Sequence, residues 1–131
     1  MRDFQRSKVY SWERIVMPDS FHEKLTLDEC RELARVMYGK RVIVKDGRGR
    51  RKAFAFHKRT PTIALPKWAR NKETVAHEVA HLITNKRDQG SGHGGIFMKN
   101  FIVLLDEHCD EDGDDLIQGA LNYGLRVAGY A

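Results

Sequence analysis

The chain has 131 residues and a formal net charge of +5, with 41% hydrophobic and 31% charged residues. This length and balance predict one globular domain over residues 1–131 and exclude a disordered chain or two separate cores. No apolar run approaches the ~18 residues that a membrane-spanning helix needs, so no membrane partner is expected.

The cysteines and the first residues indicate a reducing compartment. Cys30 and Cys109 are the two cysteines, and they stand far apart in the chain. The segment that begins at Met1 lacks the apolar core of a secretory signal peptide. These features predict two free thiols and a cytoplasmic location, with a virion as the alternative. The oligomeric state is left open.

Two elements are predicted before residue 40. Residues 9–16 form a short helix or a strand, with Trp12 packed against the core. A capping box, in which Thr26 is followed three positions later by Glu29, begins a helix over residues 27–38. A glycine then ends this helix.

Three strands are predicted next, over residues 42–44, 53–56 and 62–65. The first two form a hairpin, because an Asp46-Gly47 turn signal lies between them. Pro61 and Pro66 flank the third strand, and proline cannot donate to a strand ladder. The third strand is therefore expected at the edge of a small antiparallel sheet, where it would bind an extended peptide by strand addition.

The predicted hairpin is strongly basic. Residues 40–59 contain nine Lys and Arg against Asp46 alone. Residues 1–72 hold 19 basic against 8 acidic residues, whereas residues 73–131 hold 4 against 10. Segment 45–52 is accordingly interpreted either as a non-specific contact to DNA phosphates or as a solvated hairpin tip that resists aggregation.

The main chemical motif is His77-Glu78-x-x-His81, within a helix predicted over about residues 71–85. At about 100° per residue, the two histidines lie roughly 40° apart, so both can reach one cation. Glu78 borders the same face, where it can act on water without binding the metal. The opposite face is apolar and completes an amphipathic helix; two chance histidines on a solvated face are the alternative.

A zinc site needs a third protein ligand and an open position. His93 is the favoured third ligand, because glycines on both sides allow the backbone to turn and return the imidazole to the helix. Glu107 or Asp106 on the next helix is the alternative. The expected cofactor is therefore Zn²⁺ held by His77, His81 and His93.

The C-terminal part is predicted to be mainly helical. Residues 96–108 form a helix that supports the metal helix. Seven acids between residues 106 and 115 do not match the register of an EF-hand, and they are interpreted as a linker and an N-cap. A short helix over residues 114–123 and a terminal strand over residues 125–128 follow.

Three motifs together resemble the SprT-like (Spartan-type) zinc metallopeptidase domain, in particular its small phage and actinobacterial members. They are His77-Glu78-x-x-His81, His93-Gly94-x-x-Phe97 after an eleven-residue gap, and Ile63-Ala64-Leu65-Pro66-x-Trp68 before the helix. The resemblance covers roughly residues 40–108 and implies hydrolysis of peptide bonds, with DNA-associated proteins among the expected substrates. Many members carry a four-cysteine zinc ribbon, which two cysteines cannot form.

The predicted fold is α+β and zincin-like, with a small antiparallel sheet packed on two or three helices that include the metal-binding helix. The predicted function is peptide-bond hydrolysis by a metal-activated water, with Glu78 as general base and a protein or peptide as substrate. A zinc-dependent amidase and a non-catalytic, metal-stabilised binding module are the alternatives. Candidates for stabilising the oxyanion are Tyr123, Tyr130 and Arg126. His57 is interpreted as structural.

Overall fold

The computed structural model describes residues 5–16, 23–48, 53–57, 60–86 and 92–130. These ranges form an α+β fold with five α-helices and three strands. The helices are α1 (Arg6–Val16), α2 (Leu27–Tyr38), α3 (Lys72–Lys86), α4 (Gly95–His108) and α5 (Gly113–Asn122). The strands are β1 (Ile43–Asp46), β2 (Phe54–His57) and β3 (Pro61–Leu65), and a 3₁₀ turn (Lys67–Ala69) leads into α3. Among these helices, none is long and apolar enough to cross a membrane.

Helix α2 begins and ends for the local reasons that its sequence indicates. The Thr26 hydroxyl accepts a hydrogen bond from the Glu29 amide at 3.1 Å, and the Thr26 amide donates to the Glu29 carboxylate at 2.9 Å. Gly39 has a left-handed φ of 82° and donates its amide to the Arg35 carbonyl at 2.9 Å. The predicted capping box, helix range and glycine stop are confirmed.

The N-terminal segment is a helix, which decides between the two predicted possibilities. Val9, Trp12 and Glu13 are buried on one face of α1, at the i, i+3, i+4 spacing of an amphipathic helix. The Trp12 ring meets Phe101 edge-on at a centroid distance of 6.2 Å. Trp12 therefore packs in the core as predicted, and α1 brings a carboxylate into the core with it.

The sheet is mixed, with the strand order β1-β3-β2. Strand β1 runs parallel to β3, with Ile43 opposite Thr62, and β2 runs antiparallel to β3. The predicted all-antiparallel sheet is therefore wrong. The predicted hairpin of the first two strands is also wrong, because β3 lies between them; the antiparallel neighbours are β2 and β3.

Gly47 explains why the Asp-Gly signal does not make a hairpin. The Gly47 amide donates to the Leu65 carbonyl at 3.0 Å, which continues the contact between β1 and β3 beyond the end of β1. A Cβ at this position would lie 2.5 Å from the Pro66 nitrogen. The glycine thus allows two backbones to approach closely, which is a common reason for glycine beside a strand.

Strand β3 is central, so the prediction of an edge strand is wrong. Thr62 to Leu65 are buried, and the strand pairs with β1 on one side and β2 on the other. Pro61 is the first residue of the strand and Pro66 follows its last residue. Proline is tolerated at such ends because its missing amide does not interrupt the ladder. The predicted peptide-binding edge at residues 62–65 is excluded with it.

The helices enclose α3 from both sides. Helix α2 and the sheet contact one side of α3, α4 packs along another, and α5 contacts α4 and α1. The buried apolar side chains of the described residues form one cluster.

Asp112 caps α5 by accepting hydrogen bonds from the amides of the next two acidic residues, so the N-cap role of the acidic run is confirmed. The terminal strand predicted over residues 125–128 is wrong, because no strand forms there; the Ala128 amide instead donates to the Gly95 carbonyl at 2.9 Å.

Candidate metal centre

Helix α3 carries the motif residues and is fixed at its start by a side-chain cap. The Asn71 side-chain oxygen accepts a hydrogen bond from the Thr74 amide at 2.8 Å, as the predicted N-cap requires. His77 and Glu78 are only 4% and 5% exposed. The polar face of the helix is therefore buried as well as its apolar face, because α1 and α4 cover the histidines. The prediction of an amphipathic helix with one solvated face is wrong.

His93 reaches the motif from the short segment before α4. Gly92 has a left-handed φ of 77°, and Gly94 is the N-cap residue of α4. The His93 carbonyl accepts a hydrogen bond from the Gln5 side-chain amide at 2.8 Å. The side chain of His93 is buried. A glycine turn and a contact from the other end of the chain thus fix this imidazole against α3.

The three imidazoles converge on one point. Their candidate ligand atoms all lie within 4.8 Å of one another. Nε2 of His93 is 3.1 Å from Nε2 of His77 and 3.2 Å from Nε2 of His81. Two Zn–N bonds of about 2.0–2.1 Å at a tetrahedral angle would place two nitrogens roughly 3.3 Å apart. The cluster therefore fits a single metal ion such as zinc, with three protein ligands.

Glu13 supports the cluster from α1. Nδ1 of His77 lies 2.5 Å from a carboxylate oxygen of Glu13, and both side chains are buried. A carboxylate accepts hydrogen bonds, so Nδ1 carries the proton and donates it, which leaves the lone pair of Nε2 directed into the cluster. Burial lowers the pKa of His77, but the charge and hydrogen bond of Glu13, together with Glu78, raise it more, so the net pKa is above its usual value.

Aromatic rings hold the imidazoles in place. Phe97 stacks on His81 at a centroid distance of 4.4 Å and meets His77 and His93 edge-on at 5.0 Å and 4.9 Å. Tyr10 of α1 stacks on His77 at 5.5 Å and contacts His93 at 5.3 Å. Each imidazole therefore has little freedom to rotate away from the cluster.

The electrostatics of the cluster suit a cation and a base. Burial, and then the charges of His77 and His93, lower the pKa of His81 to about 2, so this imidazole is neutral and can act as a ligand. Burial raises the pKa of Glu78 to about 7; the His77 charge opposes this shift and the Glu13 charge adds to it. A carboxyl group of this kind exchanges protons near neutral pH.

A cleft of about 820 Å³ opens above His77 and Glu78. Helix α1 forms one wall with Tyr10, and Trp68, which is 51% exposed, lines the cleft from the 3₁₀ turn. Ala53, just before β2, also lines it. The cleft is large enough for a short peptide segment, and it ends at the candidate base.

The other predicted site residues lie elsewhere. Glu107 is largely exposed, 3.7 Å from His108, and Asp106 accepts a hydrogen bond from the Gly113 amide at 3.1 Å. Neither belongs to the histidine cluster. The three oxyanion candidates, Tyr123, Tyr130 and Arg126, are exposed and do not line the cleft. The side chain of His57 and residues 49–52 of the basic segment lie outside the described residues.

The sequence predictions missed Gln5 and the helix α1 that follows it, which supplies Tyr10 and Glu13 to the centre. One signal was present. Glu13 stands on the same helical face as Val9 and Trp12, and an acid on an apolar face needs a buried partner. Finding that partner requires the fold, since His77 is 64 positions away.

Comparison with protein-family models, with curated proteins and with solved structures gives no match.

Proposed function

We propose that this chain is a zinc metallopeptidase with a zincin-like fold, of the type that the SprT-like motifs indicate. The observation that carries the proposal is the convergence of three imidazole Nε2 atoms beside a buried glutamate at the floor of a cleft. The helix that bears the His-Glu-x-x-His motif packs against a small mixed sheet, and the third histidine follows downstream. This arrangement supports a hydrolytic centre better than a closed structural zinc site.

His77, His81 and His93 would hold the ion. When bound, Zn²⁺ supplies a Lewis acid that polarises a carbonyl group and lowers the pKa of water toward ~7. Glu13 keeps His77 in the tautomer that offers Nε2, and Phe97 keeps the three rings in contact. These residues prepare the site before any substrate enters.

Glu78 is the general base. Its carboxylate accepts a proton from the attacking water while the water oxygen bonds to the scissile carbonyl carbon. The same proton then passes to the amide nitrogen as the C–N bond breaks, so the products are a carboxylate and an amine. Burial raises the pKa of the Glu78 carboxyl, which makes its carboxylate a stronger base than an exposed one.

Tyr10 replaces the earlier candidates for stabilising the oxyanion. Its ring stacks on His77 in the cleft, and burial and the Glu78 charge raise the pKa of its hydroxyl. The hydroxyl therefore stays protonated at neutral pH and can donate a hydrogen bond to developing negative charge. The exposed Tyr123 and Tyr130 do not line the cleft.

Strand β2 replaces β3 as the proposed docking edge for substrate. Of the described strands, β2 pairs only with β3, so its other edge carries backbone groups that an extended peptide can pair with. Ala53 lines the cleft immediately before β2. A substrate strand on this edge would run between β2 and α1.

The test is metal analysis and peptide cleavage by the purified chain and its Glu78→Gln variant. We expect one zinc per chain in both proteins, and a loss of about 10²–10⁴-fold in cleavage rate in the variant, because an amide cannot take the proton. His93→Ala should lose zinc, whereas the matched Glu107→Ala should keep it. A zinc-loaded Glu78→Gln protein with normal turnover would refute the mechanism.

Cleavage of other amides but of no peptide would favour the zinc-dependent amidase. Zinc binding without any hydrolysis would favour the non-catalytic binding module.

A further inference from the structure

Among the described residues, three basic side chains line the mouth of the cleft. Arg6 and Arg14 line it from α1, and Lys24 lines it from the segment before α2. All three are exposed, and none forms an ion pair with a carboxylate of the described residues. The Lys24 ammonium donates a hydrogen bond to the Trp68 carbonyl at 2.7 Å, which places its charge beside the backbone of Trp68.

The deeper charges of the cleft offset one another. The two carboxylates at its floor belong to Glu13, which is bound to His77, and to Glu78. Their two negative charges balance a divalent ion held by the histidines. Of the charges that the described residues bring to the cleft, the three cations at the mouth are therefore those without a counter-charge, and the walls of the cleft focus their field on an incoming substrate.

The spacing of the α1 cations matches an extended peptide. Arg6, Tyr10 and Arg14 recur at every fourth position and so form one stripe along the helix. At about 1.5 Å per residue, the eight-residue step from Arg6 to Arg14 spans about 12 Å. An extended peptide rises about 3.3 Å per residue, so this span covers about four residues. Tyr10, which stacks on His77, lies between the two charges on this stripe.

We infer that the cleft selects peptide segments with acidic side chains on both sides of the scissile bond, about four residues apart. This inference rests on the proposed peptidase function, and it names the substrate class for that site. The arginines would bind the two substrate carboxylates while β2 pairs with the substrate backbone. Exposed charge pairs contribute selectivity and association rate more than affinity, so the expected preference is moderate.

The test uses full-length, zinc-loaded Glu78→Gln protein and rhodamine-labelled peptides of equal length that carry Glu, Gln or Lys at the two flanking positions. Fluorescence anisotropy should show the Glu peptide binding roughly tenfold more tightly than the Gln peptide, from two exposed ion pairs. The preference should vanish at about 1 M salt, where the Debye length is about 3 Å. Cleavage by wild-type protein should follow the same order.

Charge reversal locates the effect. Arg6→Glu and Arg14→Glu, separately, should each reduce the preference for the Glu peptide about threefold or more. Lys8→Glu is the matched control, because it makes the same charge change at an exposed position of the same helix. Lys8 lies about 200° around the helix from Arg6 and does not line the cleft. An equal loss in the Lys8 variant would show an effect of net charge alone and would overturn the inference.

Two further results would also overturn it. One is equal binding of the Glu, Gln and Lys peptides. The other is tighter binding of a short oligothymidylate than of the Glu peptide, lost on reversal of Arg6 or Arg14, which would assign the stripe to nucleic acid. Absence of peptide cleavage by the wild-type protein would instead contradict the proposed peptidase function, and the binding measurements would still decide the charge preference.

Discussion

The contact between Glu13 and His77 makes a quantitative prediction about metal affinity. The two groups are 2.5 Å apart and both side chains are buried, so the carboxylate holds the imidazole through a direct hydrogen bond. Glu13→Ala would leave a buried Nδ1–H without a partner and free the ring to rotate or change tautomer. Loss of such an outer contact to a ligating histidine weakens metal binding by about 10–100-fold, or about 1.4–2.7 kcal/mol.

We expect Glu13→Ala to reach the upper end of this range, because its methyl group offers no acceptor. Glu13→Gln should lie near the lower end, because its amide oxygen can still accept from Nδ1–H. Zinc affinity is measured by competition with a chromophoric chelator, and far-UV circular dichroism checks the fold. Glu107→Ala is the control, since Glu107 lies outside the cluster. Wild-type zinc affinity in a folded Glu13→Ala protein would refute the reasoning.

Three further predictions concern the packing, the thiols and the substrate edge. Gly47→Ala should lower the free energy of urea unfolding by about 1–3 kcal/mol through overpacking against Pro66. The control Gly119→Ala, inside α5, should be neutral or stabilising. Equal changes in unfolding free energy in the two variants would refute the close approach of Gly47 and Pro66. Burial raises the pKa of Cys30 to about 11 and that of Cys109 to about 12, so both thiols should resist alkylation at neutral pH until denaturant is added, and rapid labelling of the native protein would contradict this. A peptide bound to the Glu78→Gln protein should protect the amides of β2 from hydrogen exchange, and protection confined to other segments would move the substrate elsewhere.

Local signals predicted the helices well. The capping box of α2 needs only Thr26 and Glu29, and the N-cap of α3 needs only Asn71. The closeness of His77 and His81 could also be predicted from helical spacing alone. For His93, the flanking glycines indicated a turn but did not show towards which part of the fold the imidazole would point. In the structure the Gln5 side chain, 88 positions away, donates a hydrogen bond to the His93 carbonyl and fixes this turn.

The strand order could not be read from the same kind of signal. Asp46-Gly47 is typical of a hairpin turn, yet here Gly47 is required by the close approach of Pro66. The prolines around β3 are compatible with an edge strand and with the two ends of a central strand. Choosing between these requires knowledge of which strands are neighbours, which is a property of the whole fold rather than of five residues.

Helix α1 links metal binding to substrate selection, because it carries a buried stripe of side chains and an adjacent stripe that lines the cleft. Val9, Trp12 and Glu13 are buried, and Arg6, Tyr10 and Arg14 line the cleft, whose floor Glu13 also reaches. Glu13 and Arg14 are neighbours in sequence but about 100° apart around the helix, so one contacts His77 and the other solvent at the mouth. A change in the tilt of α1 would therefore alter metal binding and substrate preference together. Tyr10 takes part in both functions, because it lines the cleft and also stacks on His77. Arg14 is exposed at the mouth, so its variant reports on substrate preference.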